Sequence, residues 1–256
     1  MLTRRNLQTI ATREGVPLHT VERDYIQTLF LFTLSKHTTE FVFKGGTCLR
    51  MGYKLNRYSE DLDFNYPRQV EKGKTILFDT THRLQDFGVT CELKSEDQTD
   101  SGFTEKLRYR GPLYNGTELS RGAIRIDVSC REENIQSIAT AFHPRYDDCP
   151  SFIGNCLTLD QLLAEKIRAL IIRGKPRDLY DIWFFADHLT MDLDLIDQKL
   201  KLYHIQFDEV NLDDIFTKIE STWRQDLELL LSIVPDFNDA KKTVYEKLLQ
   251  IQQEKK

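Results

Sequence analysis

The stretch that most constrains this chain is VFKGGTCLRMGYKLNRYSEDLDF, residues 42–64. A short apolar run ends at two adjacent glycines, and 15 residues beyond Gly46 come two carboxylates one residue apart, Asp61 and Asp63. In DLDFNY the apolar and carboxylate residues alternate. A strand there puts Asp61 and Asp63 on one face, with Leu62 and Phe64 on the other. EFVFKGG reads as a short strand ending at a glycine turn, and TCLRMGYK as a helix starting at Thr47. Strand, glycine turn and helix in that order aim backbone N–H groups at a helix N-terminus with no side chains in the way, which suits a phosphate. Thr47 adds a hydroxyl donor and Lys44 a cation. Two hard carboxylates side by side repel unless a cation sits between them, and Mg²⁺ bridging nucleotide phosphates is the usual one. A lone Gly-Gly is an ordinary turn and a lone Asp-x-Asp an ordinary solvated strand edge; their joint order describes a triphosphate site.

The rest of the chain sets the context. With 256 residues it can bury a substantial core, as one large domain or two lobes. A formal charge of −5 argues against a general polyanion binder while allowing a local basic groove. Cysteines 48, 91, 130, 149 and 156 are scattered and never spaced Cys-x-x-Cys, so reduced intracellular thiols are expected rather than disulfides or a zinc site. The start, MLTRRNLQTIATREG, has no apolar core of signal-peptide type. The most apolar run, YIQTLFLFTL, is about half the length of a membrane span. The expectation is a cytoplasmic protein with no membrane partner.

Helical spacing of Leu7, Ile10, Ala11, Val21, Tyr25, Leu29 and Phe32 predicts helix over residues 3–36, and a further helix is expected over 70–87. VTCELKS, FTEKLRYRG and AIRIDVSC are strand candidates, and NGTELSRG carries the Asn-Gly signal that joins paired strands. Composition shifts near residue 156. TLDQ fits a capping box opening a helix to about Arg173, GKP breaks it, and Pro176 is placed to start the next helix. The expected organisation is α+β: residues 1–155 as a mixed-sheet lobe with N-terminal helices, and 156–256 as a helical lobe that completes the nucleotide site.

In LLAEKIRALIIRGKPRDLYDIWFFADH, Lys166 and Arg173 lie two turns apart on one helix face, and Leu162, Leu163, Ile167, Leu170 and Ile171 form the packing side. Arg177, Asp178 and Asp181 open the next helix, where Asp178 suits the helix dipole. As a bare helix pair these are solvated charges on an exposed face; an Arg–Asp pair that orients Lys166 is the functional alternative.

Gly45-Gly46-Thr47 followed by Arg57-x-Ser59-Glu60-Asp61-x-Asp63 resembles the first motif of the AbiEii/AbiGii-type toxins, within the DNA polymerase beta-like nucleotidyltransferase superfamily. The resemblance implies a third carboxylate on a later strand. Asp127 in AIRIDVSC supplies it, a carboxylate among apolar residues that needs a metal or a lysine to face it. Lys166-x-x-Ala169-x-x-x-Arg173, then Arg177-Asp178-x-x-Asp181, is similar to the downstream motif of the same family. Cys48 departs from the small residue more usual there.

The resemblance implies a polymerase beta-like nucleotidyltransferase fold and a Mg²⁺-dependent nucleotidyltransferase. Asp61, Asp63 and Asp127 would hold two ions, and Asp127 would also be third ligand or general base. Lys44, Gly45, Gly46, Thr47, Arg57, Ser59, Lys166, Arg173 and Asp178 would bind the NTP, with Lys166 completing the catalytic set. It further implies a toxin held in check by an antitoxin from a neighbouring gene, with RNA, the tRNA 3′ end, as acceptor. Lys106, Arg108, Arg110, Arg121 and Arg125 fall in one strand-rich segment with few acids; they form either an RNA-facing patch or plain solvated strand faces. Rival readings are transfer to a protein or a small molecule such as an antibiotic, and a catalytically idle nucleotide- or RNA-binding module.

Overall fold

The computed structural model describes residues 1–131, 135–188, 193–201 and 203–254, the side chain of residue 254 excepted. The chain divides into two compact units, residues 1–157 and 158–256.

The first unit runs α1 (Arg4–Glu14), α2 (Leu18–Ser35), β1 (Val42–Lys44), α3 (Gly45–Tyr53), β2 (Leu62–Asn65), α4 (Val70–Arg83), β3 (Thr90–Thr99), β4 (Gly102–Arg110), β5 (Gly122–Ser129), β6 (Ser137–Phe142) and β7 (Phe152–Leu157). The strands form one seven-stranded sheet in the order β3-β4-β5-β2-β1-β7-β6. It is mixed: β2–β5 and β1–β7 are parallel, and the remaining neighbours antiparallel. Register partners point to the same side of a sheet. One face therefore gathers Phe43, Leu62, Phe64, Ile126, Val128, Ile124 and Leu107, all buried. Helix α4 packs on that face, because Gly73 lies against Tyr66 and Phe103, and Lys74 reaches the buried Glu105 at 3.5 Å. Burying these apolar side chains is the main stabilising term. The opposite face carries Lys44, Asp63, Lys106, Arg108 and Asp127.

Several expectations are refined. Helix does not run unbroken from 3 to 36: Gly15 takes a left-handed conformation (φ 63°) and caps α1, and Pro17 precedes α2. Helix α3 starts at Gly45 rather than Thr47. The α-helix expected over 70–87 ends at Arg83 and finishes as a 3₁₀ turn, Leu84–Phe87. Strands β6 and β7 were not anticipated.

The second unit is helical: α5 (Leu159–Arg173), α6 (Pro176–Phe184), α7 (Leu193–Lys201), α8 (Leu212–Glu220), α9 (Trp223–Leu227) and α10 (Phe237–Glu254). Gly174 ends α5 in the left-handed region (φ 57°), and Pro176 is the first residue of α6. Thr158 makes no side-chain cap, so the expected capping box does not form. Among the described residues no helix is long and apolar enough to cross a membrane.

Candidate active site

Strand β1 delivers the chain to Lys44, and α3 begins at the next residue. Gly45 has φ 73°, a conformation that favours glycine, and a β-carbon built on it would lie 2.7 Å from Asp63 Cγ. On Gly46 a β-carbon would meet Arg57 Nη2 at 2.7 Å and Ser59 Oγ at 2.8 Å. The two glycines thus allow the start of α3 to lie directly on the carboxylate strand and on the Arg57–Ser59 segment. Arg57 is almost wholly buried and donates to the carbonyl of Tyr58 at 2.8 Å. Its guanidinium lies against Gly46 in the turn. The Thr47 hydroxyl, expected to face phosphate, donates instead to the Asp61 carbonyl at 2.5 Å, and the buried Gln27 amide approaches the same oxygen at 3.4 Å. Helix α3 is fixed to α2 by Arg50 Nε donating to Asp24 Oδ1 at 2.7 Å; both side chains are buried, with the Arg50 guanidinium 3.5 Å from the centre of the Tyr58 ring.

Asp61 immediately precedes β2 and Asp63 lies within it. Lys44 is the register partner of Asp63 on one side, and Asp127 on the other. The structure therefore brings Lys44, Asp63 and Asp127 into one row across three adjacent strands, beside the glycine turn. Thr104 extends the row on β4.

Asp127 is held by its neighbours. Arg125 grips it bidentately, Nε to Oδ2 at 2.7 Å and Nη2 to Oδ1 at 3.0 Å, and the Thr104 hydroxyl donates to Oδ1 at 2.6 Å. Hydrogen bonding to Asp127 raises the Arg125 pKa, outweighing a small opposing effect of burial. Among the described residues no three His, Cys, Asp or Glu side chains converge closely enough to hold a metal ion. Of the expected metal set, Asp63 and Asp127 stand opposite one another across β2 and β5, Asp61 immediately precedes β2, and the Asp127 carboxylate faces Arg125. The donor chemistry still fits a hard divalent cation: the carboxylates are oxygen ligands on adjacent strands, and one already takes a positive charge.

The basic segment is less basic than its sequence. Strand β3 brings acids beside it: Lys106 pairs with Glu96 at 3.1 Å, and Arg108 with Glu92 at 3.3 Å and Glu118 at 2.9 Å. Arg121 binds the same two glutamates, each at 3.2 Å, and Arg110 stacks over Tyr114.

In the second unit, Lys166 is buried, contrary to the exposed-face expectation. Its ammonium lies 3.2 Å from Asp178 and 2.8 Å from Asp181, and neither carboxylate is exposed. Arg173, at the end of α5, is 56 % exposed and clasps Asp178 with two hydrogen bonds of 2.7 and 2.8 Å. Burial pushes the Asp178 pKa up, but Lys166 and Arg173 outweigh it and hold the carboxyl at about 2. Asp178 is a buried anchor that orients two cations. Arg173 is the exposed cation of the cluster.

Thr104 and Gln27 were not picked out from sequence. The signal for Thr104 was its alternation with Lys106 and Arg108, which puts it opposite Asp127 once β4 and β5 pair.

Known proteins resemble the chain in sequence and in fold. A family model described as nucleotidyl transferase AbiEii toxin, type IV TA system, matches residues 28–247. Comparison with curated proteins finds no match. Among solved structures, MenT4, a nucleotidyltransferase toxin from Mycobacterium tuberculosis H37Rv, superposes with a TM-score of 0.72 at 21% identity, covering 99% of this chain and 90% of its own. JHP933 from Helicobacter pylori gives 0.63 at 21% identity, covering 93% and 94%.

Proposed function

Because the chain belongs to the AbiEii nucleotidyltransferase toxin family of type IV toxin–antitoxin systems, we propose that it transfers a nucleotide from NTP to the 3′ end of an RNA, tRNA foremost. The chain is a nucleotidyltransferase, and its family implies an antitoxin partner. The observation that supports the finer reading is the row Lys44–Asp63–Asp127 beside the Gly45 turn. Backbone amides at the start of α3 and the Lys44 ammonium receive the triphosphate. Asp61, Asp63 and Asp127 are the residues that would hold Mg²⁺, one or two ions, whose chemistry is to neutralise phosphate charge and to polarise the reacting oxygens. Thr47 fixes the backbone of Asp61. Asp127 accepts the proton of the acceptor hydroxyl as that oxygen attacks the α-phosphorus. The new P–O bond forms in line with the breaking bond to the β-phosphate, and pyrophosphate leaves. Within the second unit Asp178 and Asp181 hold Lys166, and Asp178 also clasps Arg173, an exposed cation of the kind that takes a phosphate. NTP and tRNA as substrates put the reaction in the cytoplasm.

The test is incubation with each labelled NTP, total RNA and total protein. Label on RNA, lost when tRNA is first oxidised with periodate at its 3′ end, supports the proposal. Label on protein or on a small molecule overturns the acceptor while keeping the enzyme class.

A further inference from the structure

Nothing in the proposed reaction uses Arg125, yet this is the side chain that grips Asp127. It is 53 % exposed and stands on the sheet surface rather than in the core. A carboxylate has about four lone-pair positions. Thr104 and Arg125 Nη2 take both on Oδ1 and Arg125 Nε takes one on Oδ2, leaving a single acceptor position on Asp127. A cation arriving there meets a guanidinium that has already claimed the charge. Position across the sheet indicates what Arg125 does once displaced. The glycine turn and Lys44 lie on the β1 side of Asp63, whereas Arg125 lies on its β5 side, two residues along that strand from Asp127, with Lys106 on β4 as its register partner. The glycine turn and Arg125 are on opposite flanks of Asp63.

Resting on the nucleotidyltransferase reading above, we propose that Arg125 is the built-in counter-ion of Asp127: it competes with the divalent cation for that carboxylate and, when displaced, presents its guanidinium together with Lys106 to a phosphate of the acceptor strand. The protein then holds Asp127 neutralised until metal arrives, and the arrival of metal readies the acceptor side.

The experiment titrates Mn²⁺ into wild-type protein, Arg125→Met, Arg125→Lys and Thr104→Val, with free Mn²⁺ read by electron paramagnetic resonance and no nucleotide present. Loss of the competing charge should tighten Mn²⁺ binding roughly fivefold in Arg125→Met. Arg125→Lys, a point charge without the fork, should fall between it and wild type. Thr104→Val removes a neutral donor and should change affinity less than about twofold. With RNA and NTP added, Arg125→Met should raise the KM for RNA several-fold more than the KM for NTP. Unchanged or weaker Mn²⁺ binding by a folded Arg125→Met protein overturns the proposal, as does an equal gain from Thr104→Val, which would make lone-pair access and not charge the cause. Wild-type protein that binds no Mn²⁺ removes the metal reading itself. A wild type that binds it, with Arg125→Met unaltered, removes only the counter-ion role.

Discussion

The Asp63 carboxylate stands in the space a side chain on Gly45 would occupy, with its Cγ 2.7 Å from the would-be β-carbon. The glycine turn and the carboxylate strand are therefore built in contact, and one residue's lack of a side chain leaves room for the other's.

Gly45→Ala should consequently do two separable things. The φ of 73° costs roughly 1–2 kcal/mol for any residue with a β-carbon, and the clash displaces Asp63. Chemical denaturation of Gly45→Ala, Asp63→Ala and the double variant resolves them. The clash component should shrink in the double variant, where only the residue-63 β-carbon remains at 3.0 Å, while the backbone component persists. Strict additivity would mean that the two residues do not touch.

Asp61→Asn and Asp63→Asn keep shape and remove charge. Each should lower the rate of nucleotide incorporation by roughly a thousandfold, about 4 kcal/mol of transition-state stabilisation, with the circular dichroism spectrum unchanged. Near-normal turnover in either variant removes that residue from the metal set.

Lys166→Ala should destabilise the protein. Removing the ammonium leaves Asp181 and Asp178, both fully buried, with one cation fewer. Breaking a buried pair from one side costs roughly 3–5 kcal/mol. The melting temperature should fall clearly, and Asp181→Asn in the same chain should restore part of the loss. A melting temperature equal to wild type would show that the cluster is solvated.

Acid provides an independent probe of the same cluster. Asp178 is held at about 2, below its ordinary value of 3.8, by Lys166 and Arg173 against the effect of burial. A depressed carboxylate contributes stability that is complete above the unfolded value and disappears as pH falls through the folded one. The window is thus from about pH 4 down to pH 2, and the contribution on the order of 2 kcal/mol. Urea titrations at pH 5, 4, 3 and 2 should show the gap between wild type and Asp178→Asn closing over that interval.

How much of this could be read from sequence depended on range. The alternation in DLDF was enough to set Asp63 on the face opposite Phe64, and Pro176 after Gly174 located the helix break. Both are local effects of backbone geometry. The burial of Lys166 was not legible, because the charges that make it tolerable arrive from the next helix and a sequence does not give their distance. The neutralised basic segment failed for a similar reason: Glu92 and Glu96 lie on a different strand and meet Arg108 and Lys106 only through the register of β3 on β4. Strands β6 and β7 were missed because SIATAF and FIGNCL lack clean alternation, and Gly154 and Asn155 interrupt the second. What sets them as strands is pairing with each other and with β1.

The parallel pairing of β2 with β5 also has a temporal side. Leu62 meets Ile126, and Asp63 meets Asp127, across roughly 60 intervening residues, and β1 finds β7 across a still longer loop. Contacts of such range form slowly, because a large loop must close before any pairing rewards it. On the ribosome the two halves of the carboxylate row are made well apart in time, and the second exists only after most of the first unit has been synthesised. A chain interrupted before β5 carries the glycine turn and Asp63 but never Asp127. Whatever depends on the whole row therefore waits for the completion of β5, late in the making of the first unit.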